Sequence, residues 1–270
     1  MNHDVQSRRS PASTTPAHAT MQVFDQAFPP QTVATLGRLL ESTLGRRPEL
    51  QADQRDVKWW MNLATLTTVA GPEPARAVLR LFCESPLLDW CRERLGPDLV
   101  FVLDYCIMRR FDPKRRPVPA QWHFDANIFG LDTPMVNFWT PLVDVGETAP
   151  GLTLMNAPRR PDALWARMIE IAAERGGAFD SENRRKTLFS DADVAAAVDA
   201  TSDAALVTPR VKAGGTIAFD HQHLHGTQPL TPDMGVRDSL EIRLLPLDVA
   251  VSRSLTARYK IMKAPGCRAT

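Results

Sequence analysis

His123 and Asp125 stand two residues apart in QWHFDANIFG, residues 121 to 130, a run that is otherwise largely aromatic or apolar. On a strand, side chains at i and i+2 point to one face, so an imidazole and a carboxylate at this spacing converge on one point. Convergence of that kind suits a metal ion. The histidines of the chain are His3, His18, His123, His221, His223 and His225. The first two fall in a Ser-, Thr-, Pro- and Ala-rich stretch, so every other histidine lies either beside Asp125 or in FDHQHLHGTQ, residues 219 to 228.

If residues 219 to 225 continue as one strand, His221, His223 and His225 face the same way, and a sheet folded on itself brings one of them opposite His123. Two imidazoles and a carboxylate on one face, with three coordination positions left open, form the facial triad typical of non-haem Fe(II) oxygenases. Spacing alone leaves two other readings open, a solvated His-rich turn and a plain zinc site. Downstream, MGVRDSLEIRLLP places Arg237 at the entry of an apolar strand. A permanently charged guanidinium is costly to leave unpaired there, and a dicarboxylate ligand would pair it in bidentate geometry.

These residues need a scaffold. The chain has 270 residues, 44% of them hydrophobic, which is ample for a substantial core. Residues 1 to about 20 read as a disordered tail, and residues 21 to 270 as a single domain with a helical cover over 21 to 99. Within that cover, QTVATLGRLLESTLG (31 to 45) spaces Val33, Leu36, Leu40 and Leu44 as a helix does, and PARAVLRLFCESPLLDWCRERLG (74 to 96) is a second helical region that Pro86 breaks or restarts. From Val100 the texture changes to eight short apolar runs: VFVLDYCIMRRF, QWHFDANIF, PMVNFWTPLV, GLTLMN, LVTPRVK, GTIAFD, HQHLHG and SLEIRLLPL. Rich in β-branched and aromatic residues and bounded by Pro, Gly and Asp, they suit a jelly roll over residues 100 to 247. An insertion at about 158 to 205 holds two helical patterns, DALWARMIEIAAERGG (162 to 177) and DADVAAAVDA (191 to 200), and has the length of a lid or binding loop. A C-terminal segment, 248 to 270, follows.

Thirty-two Lys and Arg nearly cancel 31 Asp and Glu, so composition gives no electrostatic reason to expect a nucleic-acid or membrane partner, and a small-molecule substrate is the default. Cys83, Cys91, Cys106 and Cys267 form no CxxC pair and are too few for a disulfide framework. No apolar h-region precedes residue 20, and no window approaches the roughly 18 apolar residues that span a bilayer. A soluble, cytoplasmic protein with reduced thiols is the expectation.

Four motifs in order, WHFDAN, VNFWTPLVDVGETAPGLTLMNAPRR, GGTIAFDHQHLHGTQPL and RDSLEIRLLP, resemble the phytanoyl-CoA dioxygenase-like branch of the Fe(II)/2-oxoglutarate-dependent oxygenases over about Val100 to Leu247. MNAPRR (155 to 160) departs from the small-residue ending of that family's second motif. The resemblance implies a mainly β fold, a double-stranded β-helix (jelly roll, cupin-like) with N-terminal helices and a helical insertion. It implies His123, Asp125 and His225 as ligands to Fe(II), with His221 and His223 as pocket residues or neighbours of the ligands. Arg237, twelve residues beyond His225, matches the arginine that grips the distal carboxylate of 2-oxoglutarate, with Ser239 assisting from the same strand face. Trp139 matches a tryptophan of the cosubstrate pocket, with Asn137 on its face, while Tyr105 and Met108 lie on a strand bordering it. Core packing is an alternative role for Trp139, and a plain strand residue for Ser239. Arg243, the rival to Arg237, reads as a cross-strand ion-pair partner.

The implied activity is a dioxygenase that hydroxylates an unactivated C–H of a small metabolite, consuming 2-oxoglutarate and dioxygen and releasing succinate and CO2. Relatives that halogenate have Gly or Ala in place of the carboxylate, so Asp125 favours hydroxylation. Two other classes stay open: a cupin-type metal protein, such as a zinc isomerase or hydrolase, and a non-catalytic binding protein on the same barrel. Residues 159 to 186 carry seven basic against five acidic residues, and MRRFDPKRR (108 to 116) carries five basic ones. This suggests a carboxylate- or phosphate-bearing substrate met by Arg159, Arg160, Arg184 or Arg185, or else a solvated basic loop.

Overall fold

The computed structural model describes residues 21–45, 58–114, 122–129, 133–157, 162–173 and 189–266. Its strands, in chain order, are β1 (Gln22–Phe24), β2 (Lys58–Asn62), β3 (Leu99–Val102), β4 (Ile107–Phe111), β5 (Val136–Pro141), β6 (Leu152–Asn156), β7 (Ala205–Val207), β8 (Thr216–Asp220), β9 (His225–Thr227), β10 (Arg237–Pro246) and β11 (Ile261–Lys263). The large sheet runs β1-β8-β5-β10-β3-β11, with β4 also on β10 and β2 on β4; the small sheet runs β7-β6-β9. A bridge between His123 and His225 adds a short fourth rung beside β9. The four partners β4, β10, β5 and β8 thus face the four of the small sheet, and every ladder is antiparallel. This is a double-stranded β-helix.

β10 shows how the sequence makes two faces. Leu240, Ile242 and Leu244 alternate with Arg237, Ser239, Glu241 and Arg243, and period-2 geometry sends the two sets to opposite sides. The apolar set joins Met108, Phe138 and Ala218 from neighbouring strands and packs beneath the N-terminal helices, against Leu36, Leu40, Leu79 and Phe82. The polar set points into the barrel, and all four of its members are buried. Between the sheets, Trp139, Leu152, Leu154, Ile217 and Phe219 fill one end of the interior.

The helices run close to the expected spans. Pro30–Gly45 is one helix, while the region around Pro86 forms two, Pro72–Cys83 and Leu87–Leu95. In the insertion, Asp162–Ala173 and Asp191–Asp199 are helical, the latter begun by a capping box in which Ser190 and Asp193 satisfy each other's backbone N–H groups. These two helices cover the outer side of the small sheet through Trp165, Met168 and Val194, packed on Trp122, Phe124 and Phe189.

The expected run VFVLDYCIMRRF is split into β3 and β4 by a single 3-10 turn at Leu103–Tyr105, and the two histidine-bearing runs are interrupted as well. The Asp220 carboxylate accepts from the backbone N–H of Gln222 (2.8 Å) and its carbonyl from that of His223 (3.2 Å), a local turn that ends β8. β9 therefore starts afresh at His225, and His221, His223 and His225 do not form one row. Likewise the chain leaves the His123 bridge at Asp125 and enters the helix Ala126–Phe129.

Gly214, at φ +86°, joins the cover to the sheet: its carbonyl accepts from the Phe28 N–H (2.9 Å) and its own N–H donates to the Pro141 carbonyl (2.9 Å). A Cβ there would sit 2.6 Å from the Phe28 oxygen and 2.7 Å from the Val33 side chain. Gly214→Ala is expected to cost about 1–3 kcal/mol from the left-handed backbone alone, with the clash added, read as a fall in the denaturation midpoint. An unchanged midpoint would contradict this packing.

Candidate metal centre

His123 and His225 exchange both backbone hydrogen bonds, N–H to O=C, at 3.0 and 3.1 Å. Residues so paired project side chains to the same face, and their rings lie 4.2 Å apart between centroids. Asp125, two residues on, puts an oxygen 3.9 Å from His123 Nε2. One ligand atom from each of His123, Asp125 and His225 lies within 4.8 Å of the other two, so the three could hold one metal ion.

His225 and Asp125 are held in a ligating state. His225 Nδ1 is 3.0 Å from the His223 carbonyl, which can only accept, so the N–H sits on Nδ1 and the Nε2 lone pair faces the cluster. Burial, helped by the neighbouring His123, pushes the His225 pKa down to about 3, so the ring is neutral at ordinary pH. Phe219 packs on it at 4.7 Å. Burial alone would raise the Asp125 carboxyl, but the Arg243 guanidinium and the two imidazoles outweigh it and hold the group well below the usual carboxylate range.

Arg243 grips this carboxylate from the barrel interior. Its Nη2 lies 3.2 and 3.1 Å from the two Asp125 oxygens and its Nε 3.2 Å from Oδ2, to which Asn137 Nδ2 also donates at 3.0 Å. The remaining nitrogen, Nη1, donates to the Tyr105 carbonyl (2.7 Å) and to Glu241 (3.3 Å). Glu241 is in turn 3.3 Å from Arg109 Nη2. Counting Arg109, Arg237 and Arg243 against Asp125 and Glu241, the interior holds three guanidiniums against two carboxylates.

The surplus sits at Arg237, which is fully buried. It lies against Phe111 and Trp139, 5.2 and 5.5 Å from their ring centres, and donates to the Pro150 and Gly151 carbonyls at 3.2 and 3.3 Å. Burial, with Arg109 nearby, pushes its pKa down to about 9. Among the described residues, buried atoms with no hydrogen-bond partner cluster here: Arg109 Nε, Trp139 Nε1, Arg237 Nε and Ser239 Oγ. Arg and Trp nitrogens can only donate, so this end of the barrel is rich in donors and positive charge and short of an acceptor. A cleft of about 80 Å³ reaches the metal cluster, walled by Arg109, His123, Trp139, His225, Glu241 and Arg243 among others.

The structure thus brings together His123, Asp125, His225, Asn137 and Trp139, and sets Arg237 and Ser239 on the same interior face. It does not bring the Tyr105 or Met108 side chains there. Tyr105 packs edge-on with Phe129 and Tyr259, and its carbonyl meets the site through Arg243. Met108 alternates with Arg109 and so faces the helical cover. His223 pairs with Asp220 at 3.1 Å and holds His225 through its carbonyl. His221 is buried, its carbonyl taking the Ala126 N–H at 2.8 Å, and neither His221 nor His223 belongs to the ligand cluster. Arg243 is in an ion pair, as the sequence suggests, but not across neighbouring strands: its partners are Asp125, in the turn that follows the His123 bridge, and Glu241 on its own strand.

Spacing does not single out Arg109 or Glu241; for Glu241 the signal is the row of polar and charged residues at every second position of the otherwise apolar β10, and for Arg109 it is only the alternation with Met108 on β4. Arg110 points away from the interior, to Asp238 and Glu41. Arg159, Arg160, Arg184 and Arg185, expected to meet an anionic substrate, lie outside the described residues.

Three solved structures superpose on this chain. They are the epimerase SnoN from nogalamycin biosynthesis in complex with Fe3+, alpha ketoglutarate and nogalamycin RO (13% identity, 85% of this chain and 80% of that one, TM-score 0.53), HygX from Streptomyces hygroscopicus with nickel and 2-oxoglutarate bound (15%, 85% and 84%, 0.51), and EctD from S. alaskensis in its apoform (17%, 91% and 81%, 0.50). At these identities the likeness establishes the fold. No protein-family model and no curated protein sequence matches the chain. Among the described residues, no helix is long and apolar enough to cross a membrane.

Proposed function

We propose that the chain is an Fe(II)- and 2-oxoglutarate-dependent oxygenase that hydroxylates an unactivated C–H of a small metabolite. The observation that carries this reading is the His123–Asp125–His225 cluster beside a buried guanidinium that has no carboxylate partner. The donor set fits the metal: two imidazoles and a carboxylate leave positions for a chelating cosubstrate. The interior fits the cosubstrate as well, since its partnerless donors and surplus positive charge are what a carboxylate would satisfy. SnoN and HygX, on this fold, were crystallised with 2-oxoglutarate and a metal.

When bound, iron with 2-oxoglutarate and dioxygen supplies the oxidising power for the C–H bond, with succinate and CO2 as co-products. The chain's own residues orient and exclude. His123, Asp125 and His225 would be the metal ligands. Arg243 and Asn137 fix the Asp125 carboxylate in one orientation, while the His223 carbonyl fixes the tautomer of His225. Arg237 and Ser239 would take the distal carboxylate of the cosubstrate, and Trp139 and Phe219 keep water from the walls of the pocket. The retained carboxylate at Asp125 supports hydroxylation rather than halogenation, since no coordination site is vacated for halide.

A zinc isomerase or hydrolase on the same barrel would have no use for the empty guanidinium. Anaerobic addition of 2-oxoglutarate to the Fe(II)-loaded protein is expected to raise the weak visible charge-transfer band of a chelated 2-oxo acid. A metal-loaded protein that gives no band would rule the reading out. Screening small anionic metabolites for stimulated succinate release then identifies the substrate.

A further inference from the structure

We propose that Arg109 is a second guanidinium of the cosubstrate pocket and shares the distal carboxylate of 2-oxoglutarate with Arg237 and Ser239. The inference rests on the oxygenase reading above and adds a residue to its binding site.

Register places Arg109 there. It is the β4 partner of Ser239, while Phe111, two residues on, is the partner of Arg237. Side chains directly opposite on one face of an antiparallel pair have Cβ atoms about 4.5–5.5 Å apart, and diagonal neighbours lie within reach of long side chains. Arg109, Ser239 and Arg237 therefore form one interior patch. Arg109 walls the same cleft as His123 and His225, and its side chain keeps 24% of its exposure, so it is open to a ligand where Arg237 is sealed.

The bonding of Arg109 is incomplete. Its contact with Glu241 is a single one at 3.3 Å, and its Nε has no partner. Ser239 Oγ opposite it and Arg237 Nε diagonal to it are also without partners. A carboxylate offers two oxygens and about four acceptor sites, which suits donors arriving from three side chains. Glu241 is a poor substitute, since it already serves Arg243. Its role is to position Arg109: it holds the guanidinium over the cleft and offsets one of two like charges that would otherwise face each other in a buried space. A monocarboxylic 2-oxo acid has nothing for this patch to hold, so Arg109 would select for a diacid.

The test is anaerobic calorimetric titration of the Mn(II)-loaded protein with 2-oxoglutarate and with 2-oxopentanoate, which keeps the chelating end and replaces the distal carboxylate with a methyl group. In Arg109→Gln, affinity for 2-oxoglutarate is expected to fall about 10- to 100-fold, the range for one charge-assisted contact, while that for 2-oxopentanoate stays within about twofold. Arg109→Lys, which keeps the charge and the partner of Glu241, should recover part of the loss. Equal weakening for both ligands, or 2-oxoglutarate binding unchanged in Arg109→Gln, would overturn the assignment and leave the oxygenase reading intact. Failure of the metal-loaded wild-type protein to bind 2-oxoglutarate would overturn both.

Discussion

Asp125→Ala is expected to unfold more easily even in the absence of metal, by about 3–5 kcal/mol, because it leaves the Arg243 guanidinium buried without the carboxylate that neutralises it. Metal binding should be lost as well. His123→Ala separates the two effects: the His123 side chain is 30% exposed and its removal leaves the Arg243–Asp125 pair in place, so this variant should lose the metal while the chelator-treated protein keeps nearly wild-type stability. Combining Asp125→Ala with Arg243→Met should restore much of the stability and none of the metal affinity, since removing both members of a buried pair costs far less than removing one. The sign with pH follows from the direction of the shift. A carboxyl held below its unfolded pKa contributes stability that is fully present above the ordinary carboxylate range and is lost as the pH falls through the folded value. The difference between wild type and Asp125→Ala should therefore be constant around neutrality and shrink only in strong acid. Denaturant titrations of the four proteins with chelator present measure all of this, and an Asp125→Ala protein as stable as wild type would show that the pair contributes nothing.

Arg237→Met should behave in the opposite sense. The guanidinium is fully buried, is bonded only to backbone carbonyls, and meets two aromatic faces. Desolvation of such a group costs several kcal/mol, and an apolar side chain of similar volume is often neutral or stabilising in its place. We expect the ligand-free variant to be at least as stable as wild type. Its affinity for 2-oxoglutarate should fall by about 100-fold or more, the range for a carboxylate that loses a bidentate partner in a dry site. A residue that weakens the fold while it serves a ligand is the pattern of a functional site. A variant that bound 2-oxoglutarate normally would move the distal carboxylate elsewhere in the barrel.

Much of this was legible in the sequence because strand periodicity is short. Asn137 and Trp139 could be placed on one face from their spacing, as could Arg237 and Ser239, and the structure keeps both pairs on the interior side. The histidine cluster was half legible. Its composition signalled a metal, yet the even spacing of His221, His223 and His225 suggested one strand, and a carboxylate-driven turn at Asp220 won over that pattern. Met108 shows the limit of carrying a role over by resemblance. A one-residue difference in register sends a strand residue to the other face, and here it is Arg109 that looks inward. Nor could spacing reveal that Arg243 reaches Asp125, because the two are 118 residues apart and meet only once the small sheet folds over the large one.

β10 carries one edge on β5 and divides the other, with its first half on β4 and its last residues on β3. The groups it presents inward, from Arg237 to Arg243, are thus mounted on one extended rod about 20 Å long, clamped along both sides. Such a rod acts as a ruler. The span between the two ends is a property of peptide geometry, so it is set by the number of residues between them and not by how the surrounding side chains pack.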